Sequence, residues 1–146
     1  MVNSEKMKVL VVEDDANDVT IIRRAMLKSD VKCELSFAEN GEEALAFLHR
    51  KEKFEDAPRP DLILLDLRLP GGGIDGLEVL AEIKQDDKLR RIPVIVLTGS
   101  TREEDMVRAY DSGAASYMTK PVDSRDFERL IQTVQDYWKI AEIPAE

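Results

Sequence analysis

Apolar and polar positions along the chain form two alternating kinds of segment. Three short runs are apolar almost throughout: Lys8 to Val12 ("KVLVV"), Leu62 to Asp66 ("LILLD") and Val94 to Thr98 ("VIVLT"). Such runs fit strands buried on both faces. Cys33 to Ala38 alternates instead, with Cys33, Leu35 and Phe37 set between polar partners, as expected of a strand near a sheet edge. Ser116 to Thr119 is a short fifth strand. Between these runs the period changes to that of a helix. Asn17 to Ser29 carries Val19, Ile22 and Met26 on one face, and Gly41 to Arg50 carries Ala44, Leu45 and Leu48. A third helix starts near Gly76, with Leu77, Leu80 and Ile83 in register. "TREE", from Thr101 to Glu104, fits a capping box and predicts a fourth helix starting there, ending near Ser112 with Gly113 as its C-cap. The last helix follows Asp123 and carries Phe127, Leu130, Ile131, Val134 and Trp138. Strands alternating with helices imply a parallel sheet covered on both faces. The predicted architecture is α/β, a doubly wound five-stranded (βα)5 sheet.

Composition narrows the class. Of 146 residues 43% are hydrophobic and 35% charged, enough for one core and too apolar for a disordered chain. We expect a single domain over 1–146, its core about 8–141 and a tail at 142–146. The charged, proline-bearing stretch Arg50 to Pro60 reads as an insert outside the core. A net charge of −9 argues against nucleic acid and against anionic membrane surfaces as partners. The polar start, the lack of an apolar span and the lone Cys33 fit a cytoplasmic protein.

The chemistry collects at the strand ends. In an open parallel sheet, ligands bind in the crevice beyond the carboxyl ends, where the strand order switches. Glu13, Asp14 and Asp15 follow the first strand, Asp66 ends the third, Thr98 the fourth, and Lys120 with Pro121 the fifth. If strands one and three are neighbours, several carboxylates share one crevice, which is costly unless a cation enters. Mg2+ suits such hard oxygen donors. A carboxylate, a metal, a lysine and a hydroxyl together suit phosphoryl transfer onto Asp66. The permissive Pro-Gly segment after Asp66 lets backbone approach the metal, where the Arg68 carbonyl is a candidate ligand. Taken singly, each residue has an ordinary reading. An Asp at a strand end forms loops or caps helices, "EDD" complements a helix dipole, Thr98 caps a helix, and Lys-Pro is common in loops. Their placement at the ends of four separate strands is what points to a site.

"VLVVEDD", "LILLDLRLPGGGIDG", "PVIVLTGS" and "GAASYMTKP" resemble the receiver domains of two-component response regulators, over about Lys8 to Pro144. The resemblance implies a flavodoxin-like receiver fold. It implies a phosphoacceptor signalling protein, not an enzyme, that takes a phosphoryl group on Asp66 from a sensor histidine kinase. In that reading Glu13, Asp14, Asp66 and the Arg68 carbonyl hold Mg2+, Thr98 and Lys120 meet the phosphoryl group, the Lys120–Pro121 bond is cis, and Tyr117 is the aromatic switch. By the residues alone, Tyr117 reads as a half-buried aromatic at a strand edge. "EKFEDAPRPDLILLDL" and "VQDYWKIAEIP" are similar to single-domain regulators that partner bacterial phytochromes, implying a receiver without an output domain. One departure stands out: Asp75 and Gly76 lie nine and ten residues after Asp66, where the family places them at seven and eight.

Other readings fit less well. A haloacid-dehalogenase-type phosphatase wants an Asp where Arg68 stands. A flavodoxin-like cofactor binder wants a Ser/Thr/Gly loop where the chain has "EDDAND". A degenerate receiver would lack some of the charged site residues. A phosphohistidine carrier would have to use His49, which reads as a surface residue. Apolar residues at 127, 130, 131, 134, 138 and 141, with Tyr137, Ile140 and Ile143, exceed what one side of a small sheet needs. We therefore expect a homodimer through the fourth helix, fifth strand and fifth helix, with the C-terminal tail contributing; the alternative is a tail that folds back on its own domain.

Overall fold

The computed structural model describes residues 6–28, 32–69 and 73–142. Five strands, β1 (Met7–Val12), β2 (Cys33–Ala38), β3 (Leu62–Leu65), β4 (Val94–Thr98) and β5 (Ser116–Thr119), alternate with helices α1 (Ala16–Lys28), α2 (Gly41–Leu48), α3 (Gly76–Gln85), α4 (Glu103–Asp111) and α5 (Ser124–Ile140). All strand pairs are parallel, in the order β2-β1-β3-β4-β5. The half-polar β2 is an edge strand, as its alternation predicts. The order reverses between β1 and β3, which opens the crevice at their carboxyl ends.

Alternation along each strand splits the core in two. Val9, Val11, Leu62, Leu64, Ile95 and Leu97 face α1 and α5, where they meet Ile22, Met26, Phe127, Ile131 and Val134. Leu10, Val12, Ile63, Leu65, Val94 and Val96 face α2, α3 and α4, where they meet Ala44, Leu48, Leu80, Ile83 and Ala109. Each fully buried aliphatic side chain contributes roughly 1.5–3 kcal/mol. Rigid strands result, and site residues at their ends inherit that rigidity. No helix among the described residues is long and apolar enough to cross a membrane.

Local signals set most helix ends. Asn40 and Asp123 cap α2 and α5 through their side chains. The capping box lies at α3, between Asp75 and Glu78, and not at Thr101–Glu104 as predicted. The α4 N-cap is Arg102, without a side-chain cap bond. Ser100 Oγ displaces the predicted cap: it accepts from Arg102 N at 3.2 Å and donates to Asp105 Oδ2 at 2.6 Å. Gly113, at φ 105°, lets the chain leave α4 in the left-handed region.

The predicted second helix stops early, at Leu48, because Arg50 and Glu52 have φ of 55° and 57°. The insert that follows is not wholly outside the core. Its 3-10 turn, Glu52–Phe54, sets Phe54 against Phe47 in a T-shaped contact of 5.5 Å. His49 is half-buried, 3.8 Å from Asp86.

The α5 stripe is also consumed at home. Phe127, Ile131 and Val134 are buried, and Leu130 and Trp138 pack partly on the same core. Gln135 shares the buried face and donates to Met26 O at 3.2 Å. Ile143 lies outside the described residues.

Candidate functional site

The crevice is built by backbone continuing past each strand. Glu13 N donates to Ala38 O at 2.9 Å and Asp66 N to Val12 O at 3.0 Å, so both acids hang from the sheet ladder itself. Asp66 lies just beyond the last β3 residue. Lys120, just beyond β5, is held by a bond from its N–H to Thr98 O at 2.8 Å.

Carboxylate oxygens of Glu13, Asp14 and Asp66 lie within 4.8 Å of one another. Glu13 and Asp66 are buried and Asp14 is exposed. The Lys120 ammonium reaches across to Glu13 Oε1 at 2.6 Å, Asp18 Oδ2 at 2.8 Å and Asp66 Oδ2 at 2.9 Å. The other Asp66 oxygen, Oδ1, accepts from Arg68 N at 3.0 Å. Burial pushes the Glu13 carboxyl up to about 7; the Asp66 charge adds to this, and together they outweigh the pull of Lys120. For Lys120 burial acts the other way, lowering the ammonium. Hydrogen bonds with Asp18 and Glu13 and the Asp66 charge overcome it and raise the group above its ordinary value.

Four of the expected groups, Glu13, Asp14, Asp66 and Lys120, therefore meet. Thr98 is buried at the end of β4, beside β3, and its hydroxyl accepts from Ser100 N at a long 3.4 Å. Tyr117 is half-buried, and its hydroxyl donates to Ser100 O at 2.9 Å, while its backbone N–H donates to Tyr110 Oη at 3.1 Å. The ring is thus already held at the β4–α4 loop. The Lys120–Pro121 bond is trans, correcting the expected cis form. Trans is the ordinary isomer, favoured by roughly 0.5–1 kcal/mol, and the Lys120 amide keeps its bond to Thr98 in that form.

Two supports were not read from the sequence. Asp18 had no signal beyond an acid in a first helical turn, which complements the dipole. The bland reading of "EDD" does hold for Asp15, whose Oδ1 caps α1 through Asn17 N and Asp18 N at 2.9 and 3.1 Å. Gly76 is the second. A Cβ there would lie 2.4 Å from Leu67 Cα and 2.5 Å from Asp66 O, so only glycine lets α3 start against the Asp66 backbone. The longer loop leaves this contact in place, and Ile74 N is tied to Glu42 Oε2 at 3.1 Å.

Hard oxygen donors on two adjacent strand ends, two of them buried and one facing solvent, fit a divalent cation that keeps some of its waters. Such a site, on a sheet of this order with Lys120 across the crevice, defines a receiver domain. The chain belongs to the response regulator receiver domain family, whose match spans residues 9–134. It is 41% identical to the response regulator Rcp1 of Synechocystis sp. over 130 residues, covering 89% of this chain and 87% of that one. The fold matches the phosphorylated cyanobacterial phytochrome response regulator RcpA with a TM-score of 0.92, at 39% identity, covering 97% of this chain and all 100% of that one. It matches Mn2+-bound Rcp1 with a TM-score of 0.90, at 39% identity, covering 95% and 99% of the two chains. The protein is a response regulator of two-component signalling, a relative of phytochrome regulators and not a classical enzyme.

Proposed function

We propose that Asp66 accepts a phosphoryl group from a sensor histidine kinase, of the phytochrome-linked kind that Rcp1 and RcpA suggest, in the cytoplasm where ATP feeds such kinases. One observation carries this reading. The Asp66 carboxylate is buried at a rigid strand end, 2.9 Å from the Lys120 ammonium and beside Glu13 and Asp14. An Asp66 oxygen attacks phosphorus, an O–P bond forms, and the P–N bond to the donor imidazole breaks with its electron pair going to nitrogen. Lys120 neutralises charge on the transferred oxygens. Glu13, Asp14, Asp66 and the Arg68 carbonyl would hold Mg2+, for which the Mn2+-bound form of Rcp1 is a precedent in a relative. When bound, the ion supplies positive charge to the same phosphoryl oxygens. Intact mass after incubation with Mg2+ and acetyl phosphate tests the assignment. Wild type is expected to gain one phosphoryl group and Asp66→Asn none; an equal gain in both defeats it.

Thr98 and Tyr117 carry the proposed response. Thr98 and Tyr117 both bond to Ser100, through its N–H and its carbonyl. Movement of the Thr98 hydroxyl toward a phosphoryl oxygen would therefore disturb the loop that holds Tyr117. In Thr98→Ala, phosphorylation is expected to leave the NMR shifts around Tyr117 unmoved. Shifts matching wild type would remove Thr98 from the switch.

The surface that changes is α4-β5-α5, and we propose that it pairs two copies. Among the described residues, Met106, Val107, Tyr110, Val122, Tyr137 and Ile140 are exposed large apolar side chains on or beside these elements; only Leu27 lies elsewhere. Concentrated exposure of this kind marks interfaces. Sedimentation should show a dimer that strengthens on phosphorylation. A monomer at high concentration, with and without a phosphoryl mimic, rules the pairing out.

A further inference from the structure

Lys120 is held by one carboxylate more than the phosphoryl reading needs. Asp18 Oδ2 takes a hydrogen bond from Lys120 Nζ at 2.8 Å, slightly shorter than the 2.9 Å to Asp66. Asp18 stands in the first turn of α1, and its own N–H is bonded to the Asp15 cap at 3.1 Å, so its backbone is set independently of the lysine. Its side chain is 22% exposed, against 3% for Glu13 and 7% for Asp66. Of the three carboxylates bound to the ammonium it is therefore the one most open to solvent, from which a donor arrives. Complementing the helix dipole would not require this contact, since a first-turn acid does so while pointing into water.

We propose that Asp18 is a positioning residue that restrains phosphoryl entry: it tethers the Lys120 ammonium at the crevice mouth and sets a negative charge in the path of the donor anion. The inference rests on Asp66 being the acceptor. Removing the Asp18 charge does not release Lys120, which keeps its ion pairs at 2.6 Å to Glu13 and 2.9 Å to Asp66. More of the ammonium charge then faces the donor, and one repulsive charge is gone. The effect is electrostatic and partly exposed, so salt must weaken it.

Wild type, Asp18→Asn and Asp18→Glu test this, through the rate of Asp66 phosphorylation by acetyl phosphate with Mg2+. At low ionic strength the Asn variant is expected to react about threefold faster or more, as loss of one nearby unit charge implies. The gap should narrow in high salt, and the Glu variant should stay near wild type. Without metal, the NMR signal of the Lys120 ammonium should move in the Asn variant and not in the Glu variant. An Asn variant that is equal to or slower than wild type at low salt overturns the proposal, as does a salt-independent gap or an unmoved ammonium signal. A wild type that takes up no phosphoryl group defeats the Asp66 assignment instead, so the two failures are distinct.

Discussion

Lys120→Ala is expected to cost on the order of 3–5 kcal/mol of stability at pH 8 in metal-free buffer, the usual result of stripping one partner from a buried ion pair. The lysine side chain is only 11% exposed and serves Glu13 and Asp66, which are 3% and 7% exposed. Without it, two buried carboxylates face each other with no cation, and a third, Asp14, lies within reach. Two conditions should restore stability. Mg2+ replaces the missing charge and binds the folded state preferentially. Acid does so through Glu13, whose folded value near 7 lies above its ordinary 4.5. A carboxyl raised on folding favours the folded state while protonated. Its contribution is thus present below about 4.5 and is lost as pH rises through 7. Lys120, raised above its ordinary 10.5, keeps its own contribution throughout this window and loses it only at higher pH. In wild type, Glu13 should therefore lower stability between pH 4.5 and 8 by up to about 3 kcal/mol, a slope that Glu13→Gln should remove. Urea unfolding across pH, with and without Mg2+, measures all of this. A Lys120→Ala protein within 1 kcal/mol of wild type at pH 8 without metal, by the same unfolding scale, would show that the carboxylates are solvated enough not to need the lysine.

Gly76→Ala should be the second severe change, by roughly 1–3 kcal/mol, as for overpacking at a close contact. The new methyl would sit 2.4 Å from Leu67 Cα, 2.5 Å from Asp66 O and 2.9 Å from Leu67 O. All three atoms are backbone, so no side chain can swing aside. Alanine's better helix propensity, about 1 kcal/mol, offsets part of the loss. Relief comes only by moving the start of α3 away from the end of β3, which also shifts Asp66 against Lys120. Phosphorylation by acetyl phosphate should slow together with the fall in unfolding midpoint. Gly99→Ala is the control, because a Cβ there meets nothing within 4 Å. Equal stability of Gly76→Ala and Gly99→Ala would mean that the contact at the Asp66 carbonyl is slack.

Much of this architecture was written locally. Uninterrupted aliphatic runs at Lys8 to Val12, Leu62 to Leu65 and Val94 to Thr98 demand burial on two faces, and the alternation in Cys33 to Ala38 demands it on one. Those demands suffice for a parallel sheet with β2 at its edge. Since a parallel strand presents its carboxyl end on one side of the sheet only, Glu13, Asp14, Asp66, Thr98 and Lys120 were legible as a set from their positions after apolar runs. Where several local signals compete, sequence order does not say which wins. At α4, "TREE" satisfies the capping pattern, yet Ser100 takes Arg102 N and Asp105, and the helix begins beyond Thr101. At α5, apolar spacing cannot tell a stripe spent on the domain's own core from one left for a partner. Packing against α1 spends Phe127, Ile131 and Val134, leaving Tyr137 and Ile140 outside.

By itself, then, the sequence determined the strand and helix types, the parallel direction of the sheet, and the carboxylates, hydroxyl and lysine at the strand ends, because burial and periodicity are properties of neighbouring residues, whereas the order β2-β1-β3-β4-β5 came from the fold. Only the tertiary structure decided how the charge in the crevice is shared. Asp18 lies 102 residues from Lys120 and looks from its own helix like a dipole complement, and its bond to the ammonium exists because α1 starts and β5 ends at the same rim. Gly76 matches a family position, but the reason it must be glycine appears only once the Asp66 backbone is set against it. Long-range approach of backbone and charge carries no periodic trace, so it is decided by how the layers close on one another.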